Sequence, residues 1–579
     1  MAGAYLAVLG RPGDELAARA ADVTRRLESA GMREHHAGAC VSLLGSADLR
    51  RWRLPGGAVL IGDLFTRDGQ VADPVAALRC AVPADVRRRI LRDFWGSYLL
   101  IQPEADALIV TLSPTATGHI PCVYAIADGC GFLTSDISLA ARAGLHERRV
   151  DWDSIAHRLA YPGIKTQRTG LRDVLELLPG TSLRVEPSRV SVDQAWSPWA
   201  FVAPAVRHTD PHEAACDVRR AVAATVGAWA SMDGTVLLEL SGGLDSSIVA
   251  ACLADSPARV VCVNLVTPVP GVDERHYAQL MADALGVPLH TETLPFERAR
   301  LEFVPAPESV SPGMGPLQHA IDGIMEEAAE RHGATSFYSG GGGDSVFCYL
   351  RTAAPAADAF AAQGPGAGLA AVRDLAALHQ CTFWKAGRLT LSKLRRAPSS
   401  PTHRAAAFLA PAAADIAPLE HPWSAAPDGA LPGDRERIVD LAGNQLFQGQ
   451  AARGARRPFR FPLLSQPAME ACLRTPSWMW IAGGRNRAVA RDAFADRLPA
   501  DVLHRQSKAT YMSYLGVVYQ QNRRTMRDFL LSGRLAGQGL LDTRAIAQFL
   551  AADDLPARDQ TFLRLFELCM VENWVRHQP

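Results

Sequence analysis

The stretch Thr235-Val-Leu-Leu-Glu-Leu-Ser-Gly-Gly-Leu-Asp-Ser-Ser247 most narrows what this chain can fold into. An apolar run ends in a glycine turn, and Ile248 to Leu253 continues with helical character. Strand, tight turn and helix form the unit from which parallel sheets are built. Gly242 and Gly243 carry no Cβ, so backbone N–H groups there can close on phosphate oxygens. Ser241, Ser246 and Ser247 add hydroxyls, and the helix turns its positive N-terminal end to the same point. Asp245 fits an anion site only if it holds Mg²⁺ on the phosphates. The common phosphate loop carries Gly-Lys-Ser/Thr, and no lysine stands here. The plain alternative is an ordinary Gly-Ser turn between a strand and a helix.

At 579 residues the chain is long enough for two or more domains. Lys+Arg and Asp+Glu both number 60, and without a basic stripe no nucleic-acid partner is expected. The 11 cysteines are too sparse for a disulfide scaffold and form no C-x-x-C pair, which argues against a zinc ribbon and for a reducing compartment. The opening Met1 to Gly10 reads as a first strand rather than a signal peptide. No stretch approaches the ~18 apolar residues of a membrane span. A cytoplasmic protein without a membrane partner is expected.

The first 200 residues read as strand-rich, with candidates at Tyr5–Leu9, Ala58–Leu64, Ser97–Gln102, Ala107–Leu112, Cys122–Ala127 and Ser182–Val185. Helical spacing falls at Asp14–Ala30 and Pro83–Phe94. A linker is expected around 201–212. From about 213, helix and strand alternate: Glu213–Ser231, 235–240, Val260–Val266, Glu274–Leu285, Gln318–His332 and Ser336–Ser339. This pattern predicts an α/β, doubly wound domain with a parallel sheet and ligands at the strands' carboxyl ends. Residues 353–368 and 397–434, rich in Ala, Pro and Gly, read as linkers or loops over the site. Residues 436–579 read as a helical C-terminal part.

Two further segments bear on chemistry. Gly340-Gly-Gly-Gly-Asp344-Ser345 follows the third strand as a second backbone cradle, and Asp344 is the natural partner of Asp245 on Mg²⁺. Alone, it could equally be a flexible polyglycine turn. Expelling pyrophosphate builds negative charge that Mg²⁺ does not fully cover, so a further cation is required. Lys508, in Arg505-Gln-Ser-Lys508, is the candidate, a surface lysine being the ordinary reading.

Together these residues resemble the asparagine-synthetase family over most of the chain. Ser241–Ser247 resembles its SGGLDSS pyrophosphate loop, Asp273-Glu-Arg-His-Tyr277-Ala with Leu285-Gly and His290 its next conserved stretch, Ser339-Gly340 with Asp344 its second loop, and Arg505…Lys508 its R-x-x-K. Arg457-Pro-Phe459 and Pro462-Leu-Leu464 resemble a further segment in altered form. Gly62-Asp63, Leu112-Ser-Pro114, Phe132-Leu-Thr-Ser-Asp136 and Leu178-Pro-Gly180 resemble its glutaminase domain. The resemblance implies residues 1–205 as a glutaminase-like (Ntn-type) α/β sandwich and 206–579 as an adenylating ATP-pyrophosphatase domain. It further implies ATP on Ser241–Ser247, with adenine beside Val263, Ser339 and Gly340.

The departures shape the function. The family's glutaminase needs a cysteine directly after the initiator methionine; here Ala2 and Gly3 follow Met1 and the nearest cysteine is Cys40. The glutamine-binding motif is also absent at Gly62-Asp63, so ammonia is not expected from this domain. Gly341 stands where the synthetases carry Glu and the β-lactam-forming branch Tyr. The pattern resembles the lasso-peptide macrolactam cyclases. There a peptide Asp or Glu side chain is adenylated and attacked by the peptide's N-terminal amine. A precursor peptide, a leader-binding protein and a leader protease are the implied partners. The alternatives are an asparagine or β-lactam synthetase-type ligase using ammonia or a small β-amino acid, a decayed scaffold, and a tRNA-modifying ATP pyrophosphatase.

Overall fold

The computed structural model describes residues 3–11, 14–118, 120–269, 273–395, 403–448, 452–505, 510–552 and 560–579. Two six-stranded antiparallel sheets stack in the first third of the chain. Tyr5–Leu9 lies inside the first, paired with Val41–Gly45 on one side and Cys130–Thr134 on the other. Successive side chains of a strand point to opposite faces. Tyr5, Ala7 and Leu9 enter the core between the sheets, with Ile61, Leu99 and Val110 of the second. Leu6 and Val8 turn outward under Leu16, Val23 and Leu27 of the helix Asp14–Leu27. Being covered on both faces makes this strand uniformly apolar rather than alternating. The second sheet is capped likewise: Leu60, Leu64 and Leu100 meet Leu78, Val86 and Ile90 of two short helices. Layer order is thus helix, sheet, sheet, helix.

Edge strands Arg33–Ala37 and Arg51–Arg53 are polar and carry no apolar period, which hides them from sequence reading, while Val190–Gln194 offers only the short alternation of Val190 and Val192. The segment at 201–212, read as a linker into the next helix, is largely exposed, with only Val202 buried. Two 3-10 turns, Pro198–Phe201 and Pro204–Val206, lead into the helix Pro211–Ala230. Arg207 anchors the segment by donating to Val202 O and pairing with the buried Asp434.

The parallel sheet has five strands: β1 Thr235–Glu239, β2 Arg259–Val266, β3 Leu289–Thr293, β4 Ser336–Ser339 and β5 Phe459–Arg460. Their order is β3-β2-β1-β4-β5, all parallel. Sequence analysis found β1, β2 and β4; β3 is a polar edge and β5 only two residues long. Val236, Leu238, Cys262 and Tyr338 face a core shared with the helices Pro211–Ala230 and Leu244–Leu253. Leu237, Val261, Val263 and Phe337 face the opposite core with the helices Pro316–His332, Met512–Leu531 and Phe562–Arg576. The sheet is therefore doubly wound, as expected. No helix among the described residues is long and apolar enough to cross a membrane.

The Ala/Pro/Gly-rich segment at 353–368 is ordered, contrary to expectation. It forms two helices, Ala354–Gln363 and Pro365–Leu378, separated by Gly364 at φ 86°. Small side chains permit the close approach: a Cβ at Gly368 would lie 2.2 Å from the Phe360 ring. Of 397–434, residues 397–402 lie outside the described residues. The rest holds short helical turns and the fully buried Trp423.

The hairpin is fastened by Asp358, which accepts from Gly433 N at 2.9 Å and Ser477 Oγ at 2.5 Å. Burial, then Asp434, pushes its carboxyl up to about 7. A folded-state value above the unfolded one means that its stabilisation is complete at acid pH and lost as pH rises through about 7. Thermal melts at about pH 5 and about pH 8 should show a smaller drop for Asp358→Asn than for the parent chain, since linkage to this group is removed.

Candidate functional site

Strand order reverses between β1 and β4, the switch point where open parallel sheets bind ligands. Glu239 pairs with Ser339 and with Val263 across the neighbouring strands, so three strand ends open into one place. A cavity of about 370 Å³ lies there. Ser241, Gly243, Asp245, Ser246, Val263, Ser339 and Gly340 all line it.

The glycines serve close approach rather than flexibility. A Cβ at Gly340 would sit 2.5 Å from Ser246 N, and one at Gly343 would sit 2.4 Å from Asp245 Cγ. The two loops therefore lock together, Gly340 against backbone and Gly343 against the Asp245 side chain. At Gly242 φ is +68°, and a Cβ would come 2.4 Å from Ala278 N. This contact explains the Asp273 to Ala278 stretch: its helix buttresses the first loop. Arg505 completes the buttress. It donates to Gly242 O at 3.1 Å, pairs with Glu274 and lies 4.1 Å over the Tyr277 ring.

Within the first loop, Ser241 Oγ and Ser246 Oγ are 3.0 Å apart, and Gly243 N donates to Ser241 Oγ. These hydroxyls hold the turn's shape. Ser247 is placed differently from the sequence expectation. It is fully buried in the helix's first turn, with an Oγ that finds no protein partner, and it stands off the cavity. Gly242 also stands off it, turned towards Tyr277. Lys508 lies outside the described residues.

Asp245 and Asp344 converge. One nitrogen, Arg487 Nη1, lies 3.0 and 3.1 Å from the two Asp245 oxygens and 2.9 Å from Asp344 Oδ1. Carboxylates that share one cation so closely suit Mg²⁺, which takes one or two carboxylates and completes its shell with substrate phosphates and water. Among the described residues no cluster of three or more metal-ligating side chains occurs.

Sequence reasoning missed three arginines that line this cavity: Arg453, Arg487 and Arg491. Arg453, almost wholly buried, pairs with Glu239 and with Asp322 at 3.1 Å, and lies 4.1 Å over the Phe459 ring. Burial pushes the Asp322 carboxyl up to about 6. Arg491 is lowered to about 10 by burial and then by its neighbour Arg487, and stays cationic at neutral pH. A Gly483-Gly484 turn between the short strands Ile481–Ala482 and Arg485–Asn486 was the one legible signal nearby. It marks a hairpin, not the reach of the arginine behind it.

A second cavity, of about 410 Å³, separates the antiparallel sheets from β5. Arg50 and Asp63 form a 2.7 Å pair on its wall, and Asp233 accepts from Tyr338 Oη at 2.8 Å. Cys40, Cys80, Cys122 and Cys130 are all absent from its described lining. Burial raises the Cys122 thiol to about 12 and raises Cys40 as well, so neither is an activated nucleophile. Phe447, Phe459 and Phe461 form the wall towards the glycine loops. A Cβ at Gly341 would meet the Phe461 ring at 3.0 Å, so an aromatic edge fills the space beyond residue 341.

A family model described as asparagine synthase matches residues 217–576. Among curated proteins no match was found. Two similar solved structures are titled as the allosteric regulatory enzyme of purine biosynthesis and as glutamine phosphoribosylpyrophosphate amidotransferase from B. subtilis with ADP and GMP. Each shares 10% identity over 50% of this chain, covering 80% and 65% of theirs, with TM-scores of 0.21 and 0.20. Likeness at that level carries no weight here.

The geometry separates neighbouring residues by their effect. Gly343→Ala must push Asp245 aside, so the rise in melting temperature on adding MgATP should vanish while the nucleotide-free circular dichroism spectrum stays. Ser247→Ala, which touches only the core, should keep the whole of that rise.

Proposed function

The chain belongs to the asparagine synthase family and is an ATP-using amide ligase; on that premise we propose that it is a peptide macrolactam cyclase. In this reading it adenylates an Asp or Glu side chain of a precursor peptide, and the peptide's own N-terminal amine closes the ring. ATP lies along the strand ends, adenine beside Val263, Ser339 and Gly340, phosphates on the Ser241–Ser246 loop. Asp245 and Asp344 would hold Mg²⁺, whose charge offsets that of the phosphates. A peptide carboxylate oxygen attacks the α-phosphorus and pyrophosphate leaves. The amine then attacks the acyl carbon, AMP leaves as the amide forms, and the amine's proton passes to solvent. Lys508 is the proposed cation for the oxyanion.

The observation that carries the adenylating step is the meeting of Asp245 and Asp344 at one point, on two interlocked glycine loops at the switch point. An intramolecular amine finds support in the Phe461 ring against Gly341, where the resembling synthetases have an acid or base. The cavity on the far side of that aromatic wall leaves room for a peptide and shares Phe447 with the cleft at Gly340–Ser345. Residues 1–205 then act as a glutaminase-like scaffold without its thiol, and 206–579 as the adenylating domain. A leader-binding protein and a leader protease would deliver the trimmed peptide.

The test uses the full chain, MgATP and a linear peptide carrying Asp or Glu at the ring position. AMP, pyrophosphate and a product lighter by one water are expected by chromatography and mass spectrometry. Asp245→Ala, Asp344→Ala and Lys508→Ala should each lower turnover by about 10²–10³-fold or more, the usual cost of losing one transition-state charge contact. Release of ADP would sink the reading. Product only with ammonium or a small β-amino acid would replace it by an asparagine or β-lactam synthetase-type activity.

A further inference from the structure

We propose that Arg487 is a built-in counter-cation. It bridges Asp245 and Asp344 in the nucleotide-free enzyme, yields that place to the divalent cation arriving with the nucleotide, and then turns its guanidinium onto the leaving pyrophosphate. The inference rests on the adenylating reading of the same site, but not on the identity of the peptide.

Three features point this way. The first is mutual exclusion. Arg487 Nη1 lies within 3.1 Å of three carboxylate oxygens. A hard cation bound to these same carboxylates at about 2.0–2.1 Å leaves no room for the guanidinium. Arginine and metal are alternatives at one locus.

The second is the way the arginine is held. Its neighbour Arg491 is fastened by backbone carbonyls, donating to Asn486 O, Leu503 O and Arg505 O. Every hydrogen bond of the Arg487 head goes to the two aspartates; its remaining contact is the Tyr349 ring, 5.1 Å away. Nε is buried with no acceptor. A structural arginine usually engages its planar fork bidentately, whereas here the contacts crowd onto a single nitrogen. What holds the head is charge, and a metal that neutralises the aspartates removes that hold.

The third is the root. Arg487 sits at φ 51°, ψ 35°, a left-handed conformation costly for a residue with a side chain, between the hairpin and the helix Ala488–Ala493. Backbone strain of this kind persists where the surroundings fix it, and it clusters at switch positions. The root is thereby fixed beside the phosphate loop while the head is retained by ionic contacts. Ser241, Gly243 and Arg487 line one cavity. A released guanidinium therefore has phosphate oxygens as its nearest new anions, and its fork matches them. Metal loading and the arrival of a pyrophosphate-binding cation become one event.

The experiment needs neither peptide nor turnover, so its failure is distinct from failure of the cyclase reading. Free Mn²⁺ is titrated into nucleotide-free protein and followed by electron paramagnetic resonance, and inorganic pyrophosphate binding is measured by calorimetry with Mg²⁺ present. Arg487→Gln is expected to bind Mn²⁺ at least tenfold more tightly than the parent and pyrophosphate at least tenfold more weakly. Adding Asp344→Asn to that variant should erase the Mn²⁺ gain, which ties the ion to this pair. Arg487→Lys, which keeps the charge, should stay close to the parent in Mn²⁺ affinity. Should Arg487→Gln melt early, Mn²⁺ must raise its melting temperature more than the parent's. Unchanged or weaker Mn²⁺ binding, no such rise, or undiminished pyrophosphate affinity would overturn the proposal.

Discussion

Two glycine loops lean on each other across the switch point of the parallel sheet, and the contact admits no side chain. Gly340 rests on the Ser246 backbone and Gly343 on the Asp245 carboxylate. Nearly everything at the site follows from this approach. It brings Asp245 of one loop and Asp344 of the other to a single point, although 99 positions of chain separate them. It also fixes the glycine turn after β1 in place beside the cavity. The approach is itself supported from below: the Tyr277–Ala278 turn of a helix props Gly242, and Arg505 clamps the two together.

The cavity at the strand ends gathers four arginines, Arg453, Arg487, Arg491 and Arg505, and unpaired buried charges are expensive. The chain meets this by giving each arginine a different restraint. Arg453 is neutralised by Glu239 and Asp322 and packed on Phe459. Arg491 is tied to backbone carbonyls. Arg505 is spent on the loop and Glu274. Arg487 differs in its partners: its head is hydrogen-bonded to Asp245 and Asp344, the two carboxylates proposed to take the metal. The net charge of zero over the chain conceals this local concentration.

Much of the parallel-sheet half was legible because its signals are local. A strand, a glycine turn and a helix are neighbours in sequence, so β1, β2 and β4 and the loops after β1 and β4 could be read directly. Reading the hydroxyls was less certain. Whether Ser246 or Ser247 faces the pocket depends on the rotation of the helix's first turn, which composition does not fix. Arg453 and Arg487 were illegible for another reason: in a chain with 60 basic residues, nothing local marks the arginine that will reach an aspartate 242 positions away. The hairpin at 354–378 misled because Ala, Pro and Gly signal loops when read one at a time. Here Pro caps the first turn of each helix and Gly and Ala let the helices touch. Polar edge strands escaped because a strand that faces water on its rim needs no apolar period.

The place of Tyr5–Leu9 inside its sheet has a consequence for biogenesis. One ladder partner of Leu6 is Thr134, made 128 residues later. At about 5–20 residues per second, translation leaves that edge of an apolar strand without its neighbour for roughly 6–26 s. Val41–Gly45 can shield one side early, but the other stays open until Cys130–Thr134 leaves the ribosome. During that interval the nascent chain offers a sticky, β-competent edge to any passing strand. Yield in a heterologous host should therefore be governed by elongation speed and trigger-factor-type protection over this window, more than by the final stability of the folded enzyme.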